Sequence, residues 1–289
     1  MIAMQRRLPH PIPTVRYVPE YRAEGPLKAS YEDMKSVLQV PWMGVVTMAY
    51  AHFPHFFEAF WSGMRELCGS EQFLTAANKL RSDIEAEVSR IEPPPIAARL
   101  RDLGYSEREL DDIRAVPEML SHGNYQYTLM TTAARYLLEG GELGAMGPVT
   151  AFSGRHAPTP RVPLVLMEAH HADGATRLVF EDVKAQLALP FLNTDYRALA
   201  RWPSYFALAW SDLRPHIGSP AHEAVCALYH VRAIELVAAL PNPGGMTSAA
   251  VQHAAQGDAS PDLLSVVQLF QHLHAGLMTN VAFFRHQLR

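Results

Sequence analysis

Residues 31–70, YEDMKSVLQVPWMGVVTMAYAHFPHFFEAFWSGMRELCGS, align without a gap with residues 180–219, FEDVKAQLALPFLNTDYRALARWPSYFALAWSDLRPHIGS, at a constant offset of 149. Fourteen of the forty positions are identical, where ordinary composition gives roughly two or three by chance. The identities include Pro41/Pro190, Pro54/Pro203, Phe57/Phe206, Trp61/Trp210, Arg65/Arg214 and Gly69/Gly218. These are residues that punctuate or fill a fold, so the match points to a repeated folding unit and not to a shared bias. Solenoid repeats have periods of roughly 20 to 50 residues. The far longer period here predicts one domain duplicated once, a pseudo-two-fold pair.

Composition limits what such a pair can do. With 48% hydrophobic and 19% charged residues over 289 positions, the chain can bury a full core, and it has no apolar run long enough to span a membrane. A net charge of -4 with both signs interspersed offers no basic face for nucleic acid. The N-terminal MIAMQRRLPHPIPTV has basic residues but lacks the apolar stretch of an export signal. Cys68 and Cys226 stand alone without C-x-x-C spacing, which predicts small buried hydrophobes in a reducing, cytoplasmic setting.

Helical periodicity dominates the pattern. It predicts helices over 29–39, 54–67, 71–90, 106–115 and 117–138, the fourth opened by a capping box at Ser106 and Glu109. The second half repeats the order over 174–188, 204–216, 220–239, 246–255 and 261–287, with Ser260 as cap and Pro261 in the first turn of the last. Almost nothing alternates with period two, and only PLVLMEA at 163–169 is a strand candidate. The expected fold is all-α: two pseudo-two-fold-related helical repeats, 1–139 and 164–289, joined by a Gly- and Pro-rich connector at 140–163 into one compact unit.

A duplication also locates chemistry, because a polar residue facing an apolar counterpart marks where one copy abandoned packing. Val46 stands opposite Asp195, and its neighbours differ too: Gly44 against Asn193, Val45 against Thr194, Thr47 against Tyr196. In helical register Asp195 shares a face with Leu199 and Trp202 and points inward. An inward carboxylate is costly unless hydrogen-bonded or paired. Helix capping by Asn193, Thr194 and Asp195 after Pro190 is the ordinary alternative, but a cap serves both copies alike, and the first has valine. A second exchange lies where LSHGNYQYTLMTTAARYLL meets LHAGLMTNVAFFRHQL at offset 153, anchored by Leu120/Leu273 and Gly123/Gly276. Asn124 there opposes Leu277, and Tyr127, three residues on, shares its face. An amide tied to the backbone and a tyrosine in the core are the ordinary readings of this pair. Two polar-for-apolar exchanges in opposite halves predict one site at their interface.

The strings VPWMGVV, SHGNYQY and NTDYRALARWPSY resemble three signatures of the group I 2-haloacid dehalogenases. The likeness runs from about residue 25 to the C-terminus and is best defined at TDY with the following RxLxxWPxY. This family is all-helical, internally duplicated and cofactor-independent, with its active site between the repeats. The resemblance implies that Asp195 and Asn124 hold and activate a water, that Trp42, Val45, Tyr127 and Thr194 form the pocket, and that no metal is used. It also implies a homodimer acting on a small 2-halocarboxylic acid. At Asn193, members accepting both enantiomers tend to have Ala and those restricted to the D-enantiomer have Asn, which implies D-selectivity. Two departures keep open a non-dehalogenating reading, a small-carboxylate-binding or hydrolytic member of the same helical class. Tyr125-Gln126 replaces the family's common Pro-Lys, which alters carboxylate attraction or is a surface change, and Val45 stands where Phe is frequent.

Other constellations point to structure. His222, Cys226 and His230 recur at four-residue spacing on a predicted helix, but three ligands along two turns of one straight helix converge poorly on one ion. Phe53-Pro54 and Trp202-Pro203 occur in both halves and read as joints between helices.

Overall fold

The computed structural model describes residues 4–289. Among them the regular elements are helices: α1 (Gly25–Leu38), α2 (Val45–Tyr50), α3 (Pro54–Cys68), α4 (Glu71–Ser89), α5 (Ala97–Asp102), α6 (Glu107–Leu138), α7 (Gly174–Gln186), α8 (Thr194–Leu199), α9 (Pro203–Leu213), α10 (Pro220–Ala239), α11 (Ser248–Gln256) and α12 (Leu263–Gln287). The chain is therefore all-α, and no helix of the described residues is long and apolar enough to cross a membrane.

The helices begin where the chemistry of their first residues directs. Pro54 and Pro203 open α3 and α9 at the first turn, where a missing N–H removes no bond. The Ser106/Glu109 box opens α6 reciprocally: the Glu109 amide donates to Ser106 Oγ at 3.3 Å and the Ser106 amide to Glu109 Oε2 at 2.8 Å. Asp173 and Thr247 cap α7 and α11 by accepting from the amides of Thr176 and Ala250.

Helices α1 to α4 start at 25, 45, 54 and 71, and α7 to α10 start at 174, 194, 203 and 220, each 149 residues later. The shared tryptophan and arginine have the same task in each run. Asp33 on α1 accepts from Trp61 Nε1 at 3.0 Å and from Arg65 at 2.7 and 2.8 Å. Asp182 on α7 accepts from Trp210 Nε1 at 2.8 Å and from Arg214 at 2.7 and 3.1 Å. The guanidinium beside each aspartate holds its carboxyl below the usual range, with the indole N–H adding to it and burial opposing. The starts of α3 and α9 are also served from afar. Asp258 accepts from the amides of His55 and Phe56 at 3.0 Å each, and the Tyr105 hydroxyl accepts from the Tyr205 amide at 3.3 Å.

Several expectations need correction. Helix α6 runs unbroken through Pro117, where two helices were expected. The proline removes one intrahelical bond, but the stripe of Leu110, Ile113, Val116 and Leu120, all buried, continues past it and holds the axis. Helix α12 starts at Leu263, so Ser260 is not its cap. Helices α2 and α5, six residues each, are too short for a periodicity window to resolve. Residues 163–169 form no strand: an extended segment needs a backbone partner, and here the Met167 amide donates to the Arg197 carbonyl at the end of a helix-bound segment. The sole β-pairing among the described residues is an isolated bridge between Ser70 and Ala151.

The chain forms two compact, discontinuous units. The first comprises Met1–Arg81, Gly123–Ala157 and Tyr229–His274. Phe56 and Phe60 stack at 5.3 Å in its core, with Tyr50 edge-on to both, and α11 lies against α3. The second comprises Ser82–His122, Pro158–Leu228 and Ala275–Arg289. There α7 and α8 pack on α9, Tyr196 meets Trp210 edge-on, and the buried Glu85 receives Arg285 and Arg289. These units differ from the sequence halves 1–139 and 164–289, because α4, α6, α10 and α12 each contribute residues to both.

His274, in the first unit, makes the fold acid-sensitive. It is 6% exposed, its Nδ1 has no hydrogen-bond partner, and burial pushes its pKa down to about 4. The unfolded chain binds this proton near pH 6.5. Stability from the neutral ring is therefore complete above pH 6.5 and is lost as pH falls from 6.5 to about 4, by about 3 kcal/mol. The expected result is that His274→Leu loses less stability than the wild type in urea titrations compared at pH 7.5 and pH 4.5. Equal losses contradict it.

Candidate active site

Two clusters hold the residues singled out from the sequence. In the first unit, the chain leaves α1, passes Trp42 and enters α2 at Val45, which is half-buried. Trp42 is buried, its carbonyl accepts from the Tyr127 hydroxyl at 2.7 Å, and the two rings lie 6.1 Å apart. Two glycines make this approach sterically feasible. A Cβ on Gly123 would sit 2.5 Å from the Trp42 ring, and one on Gly44 would sit 3.1 Å from the Tyr127 ring. Asn124 follows Gly123 on α6 and is 7% exposed. The structure thus brings Trp42, Val45, Asn124 and Tyr127 to neighbouring positions of one unit. Burial pushes the Tyr127 phenol well above its ordinary range, so it acts as a neutral hydrogen-bonding group.

In the second unit, Asn193 is the N-cap residue of α8 yet makes no side-chain cap bond, and its buried Oδ1 has no hydrogen-bond partner. Thr194 is half-buried, and Asp195, in the first turn, is 2% exposed. Val46, its counterpart 149 residues earlier, is also 2% exposed. The same degree of burial therefore encloses a methyl-bearing side chain in one copy and a carboxylate in the other. The Asn193 side chain does not cap α8, and the acidic residue in the first turn of α8 has no counterpart in the first turn of α2.

Beside Asp195 lies a group of buried polar side chains in which Asn280 and Thr279, which no sequence pattern marked, join Tyr196, His222 and Cys226. Asn280 Nδ2 donates to the Tyr196 hydroxyl at 2.9 Å, and Asn280 Oδ1 lies 3.0 Å from His222 Nε2. Cys226 Sγ is 3.8 Å from His222 Nδ1 and 3.6 Å from Thr279 Oγ1. The signal was present at the 149 offset, where His222 faces Phe73. His222, Glu223 and Cys226 offer ligand atoms within 4.8 Å of one another. His230 is engaged elsewhere: its Nε2 bonds the Met4 carbonyl and its Nδ1 receives Gln271 Nε2.

No family model matches the chain. It is 49% identical over 244 residues, 84% of its own length and 95% of the other's, to a protein of Rhizobium sp. (strain NHG3) named (R)-2-haloacid dehalogenase. The chain belongs to the group I 2-haloacid dehalogenase family. An (R)-2-haloacid dehalogenase of Pseudomonas putida is 36% identical, with 97% of this chain and 96% of that one covered. The solved complex of a D-2-haloacid dehalogenase with L-LA matches with a TM-score of 0.86 at 32% identity, covering 99% of this chain and 100% of that chain.

For a dehalogenase of this family, the Tyr125-Gln126 departure is not a surface change. Tyr125 and Gln126 are both 1% exposed. Gln126 Nε2 donates to the Leu38 carbonyl at 3.0 Å, and the Tyr125 ring packs 5.9 Å from that of Tyr229. A lysine at 126 would place its ammonium among buried groups, at the cost of desolvation. The glutamine instead bonds the end of α1 beside the Trp42 segment.

Proposed function

We propose that this protein hydrolyses the carbon–halogen bond of short D-2-haloalkanoic acids to L-2-hydroxyalkanoic acids. The observation that carries this reading is the 49% identity to an (R)-2-haloacid dehalogenase over most of both chains. Buried Asp195 and Asn124 at the positions of the family's water-activating pair add support.

Water is a weak nucleophile near neutral pH, so a base must take its proton as the C–O bond forms; such assistance is worth typically about 10²- to 10⁴-fold. Asp195 is that base in this reading. Asn124 orients the same water, which turns a diffusive encounter into an aligned one. The oxygen bonds to C2 as the halide departs with the C–X electron pair from the opposite face, so configuration inverts. Trp42, Val45 and Tyr127 surround the halogen and alkyl group. Thr194 lines the carboxylate end, and Asn193, whose buried Oδ1 has no protein partner, restricts the group on C2. The reaction needs no metal or organic cofactor; the family resemblance supports a homodimer, and the isolated Cys68 and Cys226 support a reducing, cytoplasmic setting.

Enantiomer-resolved halide release tests the proposal. D-2-chloropropionate is expected to react roughly 100-fold faster than the L-form and to yield L-lactate. Equal rates on both forms, or D-lactate as product, rule out the stereochemistry. Absence of halide release together with thermal stabilisation by small carboxylates would instead establish a carboxylate-binding protein.

A further inference from the structure

Tyr196, Asn280 and His222 form a buried side-chain chain across α8, α12 and α10, and all three belong to one compact unit. They are 1%, 0% and 3% exposed. Asn280 Nδ2 donates to the Tyr196 hydroxyl, and its Oδ1 accepts from His222 Nε2. His222 Nδ1 faces the Cys226 thiol at 3.8 Å, with the exposed Glu223 carboxylate 3.7 Å away.

The other copy does without this chain. Thr47, 149 residues before Tyr196, donates locally to the Gly44 carbonyl at 2.8 Å. Phe73, 149 residues before His222, is fully buried and apolar. Tyr127, at the 153 offset from Asn280, donates to a backbone carbonyl. One copy thus uses a phenylalanine and backbone bonds where the other links three helices by side chains alone. Burying polar groups costs free energy unless each is satisfied, and an apolar core of similar volume is often as stable. Stability alone therefore gives no reason for the polar version to stand beside Asp195.

Helix α8 supplies one. It spans only Thr194–Leu199 and has no side-chain cap, and an isolated helix that short does not hold itself together. Its orientation depends on what grips its side chains: the Tyr196 ring lies 6.3 Å from both Phe206 and Trp210, and its hydroxyl is bound by Asn280. We propose that Asn280 and His222 are positioning residues that fix Tyr196, and through it the neighbouring Asp195 carboxylate, in the geometry needed to take a proton from water. The inference rests on the reading of Asp195 as the base. Burial raises the Tyr196 phenol first, the Asn280 bond opposes, and the Asp195 charge raises it further, as expected of a carboxylate held close by.

The test is steady-state halide release from D-2-chloropropionate, with thermal unfolding, for the wild type, Asp195→Asn, Tyr196→Phe, His222→Phe and His222→Gln. A misplacement of about 1 Å costs up to roughly 100-fold. The expected result is a kcat lowered roughly tenfold or more in Tyr196→Phe and His222→Phe, with KM nearly unchanged, at temperatures where both stay folded. His222→Gln keeps a donor toward Asn280 and is expected to recover most of kcat. Should His222→Phe fail to fold, Tyr196→Phe, which deletes one oxygen, decides alone. Full kcat in Tyr196→Phe while Asp195→Asn is inactive overturns the positioning role and leaves the proposed function standing. A wild type that releases no halide overturns the proposed function and this inference together.

Discussion

Asp195→Asn lowers kcat for halide release by roughly 10³-fold or more while the protein stays folded. The amide matches the carboxylate in size and still accepts a hydrogen bond, so packing at this 2% exposed position is retained. What it loses is basicity, and general-base assistance is worth typically about 10² to 10⁴. Removing an inward charge also removes its desolvation cost, so the unfolding midpoint should not fall by more than about 1 kcal/mol in equivalent stability. A single turnover of the wild type in heavy-oxygen water separates activated water from direct attack by the carboxylate, because ester formation transfers a carboxylate oxygen to product. Label in the product alone fits activated water. Label in Asp195 after turnover sinks it, as does near-wild-type kcat in Asp195→Asn.

Gly123→Ala is expected to be both less stable and less active, although the same change at Gly276 is expected to stabilise. In a helix interior, alanine is ordinarily favoured over glycine by roughly 0.5 to 1 kcal/mol. At Gly123 the new Cβ would stand 2.5 Å from Trp42 Cη2, 2.9 Å from Cζ2 and 3.0 Å from Val40 Cγ1. The indole is not free to yield, since its residue's carbonyl is bound by Tyr127 and the two rings are in contact. Overpacking of this kind costs typically about 1 to 3 kcal/mol, so the clash outweighs the propensity. Displacing Trp42 next to Asn124 is expected to lower kcat/KM by roughly 100-fold. At Gly276, 153 residues on, no heavy atom counted among the described residues lies within 4 Å of an added Cβ, and propensity alone acts. Urea titrations of both variants check the opposite signs. A Gly123→Ala protein more stable than the wild type would falsify the contact argument.

The long helices were legible because each carries a stripe or cap whose effect is local. The Ser106/Glu109 box needs residues three apart and formed as expected. Pro117 misled because its local cost was weighed without the buried stripe that carries α6 across it. The inward face of Asp195 was legible because Val46 marked an apolar position in the other copy. The burial of Gln126 was not: its partner is the Leu38 carbonyl, 88 residues away in sequence, and nothing near position 126 announces it.

The sequence by itself determined an all-helical chain, the spacing of its helices and the positions where a polar residue stands opposite an apolar one. Those follow from periodicity, capping and internal comparison, which act over a few residues or can be counted along the chain. Only the tertiary structure decided what each side chain meets: Trp42 against Gly123 and Tyr127, and Tyr196 joined to Asn280 and His222. These contacts connect residues tens of positions apart, and their energies depend on ångström-scale distances that no linear pattern encodes.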